Sequence, residues 1–125
     1  MVAAYAAAGA PDAQILFASK AFPCTAVYRV FAQEGLGCDV ASGGELALAL
    51  AAGFDPDRIV MHGNAKSRAE LQMAIDARIG LFVVDNLEEI ARLEALLDRA
   101  GRDQKVMLRV TPDVRGETNY KISTG

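Results

Sequence analysis

The feature that most constrains this chain is a repeating unit: a short apolar run that ends on a polar residue, followed by a segment of helical periodicity. The runs end at or just before Lys20, Asp39, His62, Asp85 and Arg109, which lie 19, 23, 23 and 24 residues apart. A short apolar run bounded by turn signals reads as a buried strand, and apolar positions three and four apart read as one face of a helix. Strand, helix, strand, helix with short connections dictates parallel strands joined by crossover helices. Parallel strands covered on both faces read as continuous apolar runs, as these do. In a (β/α)8 barrel the carboxyl ends of all strands meet on one face, and that face carries the active site. One polar residue per strand end is what such a face requires. The competing architecture, a doubly wound open sheet, carries a glycine fingerprint after its first strand, and none follows Ile15–Ala18.

The expected strands are Ile15–Ala18, Gly37–Val40, Ile59–Met61, Leu81–Val84 and Val106–Val110. Between them, Thr25–Glu34 places Val27, Val30 and Phe31 at helical spacing and stops at Gly35. Glu45–Ala52 is a helix opened by Ser42, Gly43 and Gly44 and closed by Gly53. Ser67, with Glu70 three residues on, forms a capping box for a helix running to about Ala77. Leu87–Ala100 is the clearest helix, and its stripe of Leu87, Ile90, Leu93, Leu96 and Leu97 is expected in the core. Asp85 is expected at the turn into it. Val2–Ala8 is expected as a helix packed on the core, and the polar stretch Thr111–Gly125 as loop. A full barrel has eight strands in about 250 residues. Five strands in 125 residues correspond to its first part, about five βα units with two open edges.

Composition narrows the function. A chain 52% hydrophobic and 23% charged is a globular type. A net charge of -3 supplies no electrostatic case for nucleic acid or an anionic membrane. The alanine-rich start lacks a basic flank and is too short to span a bilayer, so a cytoplasmic protein is expected. Cys24 and Cys38 lack metal-ligand spacing and are expected as reduced packing residues.

Lys20 is the residue with the most chemical content. A lysine at the end of an apolar strand either snorkels to the surface or stands at a pocket mouth. At a pocket mouth it is a usable amine nucleophile, able to form a Schiff base with a carbonyl. Asp39 and Arg109 are candidates for the same pocket, as an acceptor needing partners and a fixed cation. His62 reads as a packing histidine or as a pocket residue that orients Asn64.

Specific motifs sharpen this picture. Phe17-Ala18-Ser19-Lys20-Ala21-Phe22 resembles the strand-end motif carrying the cofactor lysine in the alanine-racemase-like, fold type III, pyridoxal-phosphate enzymes. Cys38-Asp39-Val40-Ala41-Ser42-Gly43-Gly44-Glu45-Leu46 resembles their Asp-Val-x-Ser-x-Gly-Glu-Leu segment. His62-Gly63-Asn64-Ala65-Lys66-Ser67 with Glu70-Leu71 is similar to the His-Gly-Asn-x-Lys-Ser block of the diaminopimelate decarboxylase family. Val83-Val84-Asp85-Asn86, Leu108-Arg109-Val110-Thr111-Pro112 and Tyr120-Lys121-Ile122-Ser123-Thr124-Gly125 follow in the same order. Asparagine stands at Asn119 where the family pattern has histidine.

The resemblance implies an alanine-racemase-like (β/α)8 barrel with pyridoxal 5'-phosphate on Lys20. Asp39, His62 and Arg109 would be cofactor-binding residues, and no metal is called for. It implies decarboxylation of meso-diaminopimelate, a small-molecule amino acid, to L-lysine and CO2, in a homodimer whose β-rich C-terminal domain is absent from this chain. Counterparts of the family's His-Val-Gly-Ser segment, phosphate loop and pyridine-nitrogen glutamate are expected beyond Gly125. The alternatives are an ornithine or arginine decarboxylase, a racemase, or a non-catalytic pyridoxal-phosphate carrier. The 125 residues alone are expected to lack decarboxylase activity, because the lysine supplies no anion site for the phosphate.

Overall fold

The computed structural model describes residues 2–112, and the terminal Tyr120–Gly125 motif and Asn119 lie outside them. Ten helices and strands alternate: α1 (Val2–Ala7), β1 (Leu16–Ala18), α2 (Thr25–Gln33), β2 (Gly37–Val40), α3 (Gly43–Ala52), β3 (Ile59–Met61), α4 (Arg68–Asp76), β4 (Leu81–Val84), α5 (Leu87–Ala100) and β5 (Val106–Leu108). All four strand pairings are parallel. The sheet order is β1-β2-β3-β4-β5, the order of the chain itself. A doubly wound sheet reverses direction at a switch point. This one never does, and strands in chain order are the arrangement of a barrel wall.

Register sorts the two faces. Phe17 lies opposite Cys38 and Cys38 opposite Ile59, while Val40 lies opposite Met61 and Met61 opposite Phe82. These side chains form the outer face and make one core with Tyr28, Leu46, Ala49, Leu71, Ala74, Ile75, Leu93 and Leu96 of the helices. Phe17 stacks on Phe31 with centroids 4.2 Å apart, and Tyr28 meets both Phe17 and Phe54 edge-on at 5.6 and 6.0 Å. Such pairs add about 0.5–1.5 kcal/mol each beyond area burial and seat α2 on the sheet. A Cβ on Gly80 would lie 2.0 Å from the backbone oxygen of Asp57, so the turn into β4 accepts only glycine.

The helix starts are built as their sequences require. Ser42 Oγ accepts from Glu45 N at 3.2 Å at the start of α3. Ser67 and Glu70 complete the capping box of α4. Glu70 also reaches α3, accepting from Gly43 N at 2.8 Å, so one carboxylate joins two helix starts. At α5 the cap is Asn86, whose Oδ1 accepts from Glu89 N at 2.8 Å, and not Asp85.

Three expectations about burial are corrected. The buried residue of α2 is Tyr28, while Val30 is exposed. In the α5 stripe Leu93 and Leu96 are buried, but Leu87 and Ile90 are 79% and 37% exposed. Among the described residues α5 has α4 on one flank and no helix on the other, so only half its stripe is covered. No residue of α1 is buried. It is a six-residue helix, mostly alanine, with little apolar area to bury. The outermost strand β5 is likewise exposed along its whole length, because no strand pairs its outer edge among the described residues.

Candidate active site

β1 runs into a single 3-10 turn, Ser19–Ala21. The turn buries Ser19 completely and leaves Lys20 exposed. The Ser19 hydroxyl donates to Glu45 Oε2, and the same oxygen accepts from Ala41 N at 2.7 Å. Glu45 stands in the first turn of α3, where a carboxylate complements the helix dipole. It therefore does two things: it stabilises α3, and it ties the turn that carries Lys20 to the exit of β2.

Asp39 sits in β2, opposite Ala18 and Val60. His62 follows β3 directly, its N–H donating to Val40 O at 2.8 Å. Its Nδ1 lies 4.0 Å from Asp39 Oδ1, beyond hydrogen-bond reach. Asp39 Oδ1 and His62 Nε2 are both buried atoms without a hydrogen-bond partner among the described residues. Arg109 follows β5 and pairs with Asp85, Nη1 to Oδ1 at 3.0 Å. Its guanidinium thus takes the carboxylate of Asp85 and not that of Asp39 as its partner. Lys20, Asp39, His62 and Arg109 nonetheless line one cavity of about 320 Å³, together with Ser19 and Asn64. Four strand ends deliver them there because parallel strands in chain order place every carboxyl end on the same side.

The thiol of Cys38 lies under this face. Burial, and then the charges of Asp39 and Glu45, push it up to about 12, so it is a packing group and not a nucleophile. Among the described residues no group of three or more His, Cys, Asp or Glu side chains is placed to hold a metal.

One pair was not legible as such. Lys66 and Glu89 form an ion pair at 2.8 Å with side chains 1% and 0% exposed. The signal for Glu89 lies in its position: it precedes Leu93 by four residues and Leu96 by seven, on the buried stripe of α5. A charge on that stripe demands a partner. Nothing in local sequence marks Lys66 as that partner.

The sequence pattern of the family described as "Pyridoxal-dependent decarboxylase, pyridoxal binding domain" matches residues 2–125. The chain belongs to that family. Diaminopimelate decarboxylase of Bacillus subtilis (strain 168) is 52% identical over 113 residues, covering 90% of this chain and 26% of the relative. The diaminopimelate decarboxylase of Mycobacterium bovis is 48% identical over 119 residues, 95% of this chain and 27% of the relative. The crystal structure of diaminopimelate decarboxylase from Helicobacter pylori complexed with L-lysine superposes with a TM-score of 0.85 at 30% identity, covering 90% of this chain and 29% of that one. The chain thus spans about a quarter of the length of the curated relatives it matches. Its chain-ordered parallel sheet is a sector, about five βα units, of their alanine-racemase-like (β/α)8 barrel.

The residues present fit the aldehyde end of a pyridoxal cofactor. An aldehyde cofactor is held covalently by an accessible amine at a pocket. Here Lys20 stands at the mouth of a cavity in which a carboxylate oxygen and an imidazole nitrogen are buried without partners. Buried polar atoms are costly when unpaired, and a polar ring with an oxygen substituent would satisfy them.

Proposed function

We propose that this chain is the cofactor-anchoring sector of a decarboxylase that converts meso-diaminopimelate to L-lysine and CO2. The observation that carries the reading is the convergence of Lys20, Asp39, His62 and Arg109 on one cavity in a chain of a pyridoxal-dependent family. The relatives named above, and the L-lysine in the Helicobacter pylori structure, support the choice of substrate. Pyridoxal 5'-phosphate, when bound, supplies the electron sink that accepts the pair left as a carboxylate departs.

The chain's own residues hold and orient. Lys20 Nζ is the covalent anchor, and Ser19 and Glu45 set the turn that aims it. Asp39 offers an acceptor and His62 Nε2 a second polar contact. Arg109, steadied by Asp85, places a permanent cation at the cavity wall. We assign residues 1–125 to the barrel domain and the β-rich C-terminal domain to the full-length enzyme. That enzyme is read as a cytoplasmic homodimer, supported by the motif resemblance. No helix among the described residues is long and apolar enough to cross a membrane.

The test is covalent trapping. The chain is incubated with pyridoxal 5'-phosphate and sodium cyanoborohydride and mapped by peptide mass spectrometry. The pyridoxyl group is expected on Lys20 in preference to the exposed Lys105, and equal labelling would overturn the assignment. In the full-length enzyme Lys20→Ala is expected to abolish release of CO2 from meso-diaminopimelate, whereas the 125 residues alone are expected to release none.

A further inference from the structure

We infer that Lys66 and Glu89 form a positioning clamp beneath the cavity, fixing the 62–66 loop that supplies His62 and Asn64 to it. The Lys66 ammonium has three donors, and two of them are hydrogen-bonded to backbone carbonyls. It donates to Gly63 O at 2.5 Å and to Val83 O at 2.9 Å, and it faces Glu89 Oε1 at 2.8 Å. The side chain therefore folds back on its own loop while gripping β4 and α5. Among the described residues the backbone of 63–65 takes part in no other hydrogen bond. Gly63 also has φ +112°, and a Cβ there would lie 3.0 Å from Ala41 O, so this loop has one narrow conformation to be held in.

Energetics argue for positioning over stability. A buried ion pair is commonly no more stable than an apolar pair of the same volume, whereas removing one partner strands a charge. What an apolar pair cannot do is direct hydrogen bonds to two carbonyls on different elements. The clamp thus specifies where the loop sits, and through the loop where His62 stands against Asp39 and where Asn64 meets the cavity that Lys20 also lines. Lys66 is a positioning residue; it does not line the cavity.

Two experiments test this. In the wild-type chain, limited reductive methylation read by peptide mass spectrometry is expected to modify Lys66 at least about tenfold more slowly than Lys105, since a buried, hydrogen-bonded and ion-paired amine reacts only on local opening. Equal rates would overturn the clamp. In the double variant K66M/E89M, which removes both charges and keeps the volume, a cooperative melting transition is expected to persist. His62 is the only histidine in the chain, so its ring protons report the loop as a single pair of NMR resonances. They are expected to move by more than their line width in the variant, and pyridoxyl labelling of Lys20 relative to Lys105 to fall about tenfold, as misplacement of a binding group does. A folded variant with His62 resonances and labelling as in the wild type sinks the inference. The labelling arm rests on the proposed function, but the His62 arm does not. If wild-type Lys20 takes no label, the functional reading fails while His62 still decides the clamp. If the variant loses its cooperative transition, the methylation rates decide.

Discussion

Arg109 Nη1 lies 3.0 Å from Asp85 Oδ1, so the guanidinium after β5 is held by the carboxylate after the neighbouring strand β4. The pair joins adjacent strand ends across the rim of the cavity, and both side chains keep contact with solvent, at 34% and 20% exposure. Ion pairs in that setting are worth little because water screens them and ordering two side chains opposes them. A double-mutant cycle with Asp85→Asn and Arg109→Gln, read by urea unfolding, is expected to give a coupling below about 1 kcal/mol. A coupling of several times that size would show a desolvated pair instead.

Ser19→Ala is expected to cost more than its size suggests. Ser19 is fully buried and its hydroxyl donates to Glu45, so the variant leaves that carboxylate oxygen with Ala41 N as its remaining donor. Loss of a buried donor to a charged group costs about 1–3 kcal/mol. The urea midpoint should fall at an unchanged slope, and labelling of Lys20 should fall with it, because the same bond aims the turn. A variant as stable as the wild type would refute the arrangement.

Acid stability should depend on Glu70. Hydrogen bonds from the Gly43 and Ser67 backbones and from the Ser67 hydroxyl hold its carboxyl below the ordinary 4.5. A carboxyl whose folded value is depressed contributes stability that is fully present above the unfolded value. That contribution is lost as the pH falls from about 4.5 through the folded value. Glu70→Gln is expected to lower the urea midpoint at neutral pH and to flatten its decline in acid. Parallel acid limbs for wild type and variant would count against the role given to Glu70.

The two thiols should separate cleanly. Cys38 is buried, with its thiol pushed up to about 12 by burial and by the neighbouring charges of Asp39 and Glu45, whereas Cys24 is half-buried. Titration with a chromogenic disulfide at mildly alkaline pH is expected to release one equivalent from the native chain, from Cys24, and two after denaturation. Two rapid equivalents from the native chain would show that Cys38 is not shielded.

The elements that were readable in the sequence are those set by short-range physics. Ser42, Ser67 and Glu70 announce helix starts because their side chains satisfy backbone N–H groups within three residues. Apolar runs at even spacing announced parallel strands, and one polar residue at each run's end placed Lys20, Asp39, His62 and Arg109 on a common face. Where reading failed, the missing information was a neighbour. Val30 satisfies helical spacing as well as Tyr28 does, but only the approach of β1 and Phe54 decides that Tyr28 is the buried one. Leu87 and Ile90 belong to the apolar stripe, yet α5 is flanked on one side alone among the described residues.

By itself, then, the sequence determined the alternation of strand and helix, the parallel direction that alternation enforces, and the lysine on which the chemistry is read to turn. These follow from interactions between residues a few positions apart. Tertiary structure alone decided the partners: Asp85 for Arg109 across 24 residues, Ser19 for Glu45 across 26, and Glu89 for Lys66 beneath the loop. Charge and hydrogen-bonding capacity are written in each residue, but a buried polar group is satisfied by whatever the packed elements bring within about 3 Å, and that distance exists only once the sheet has formed.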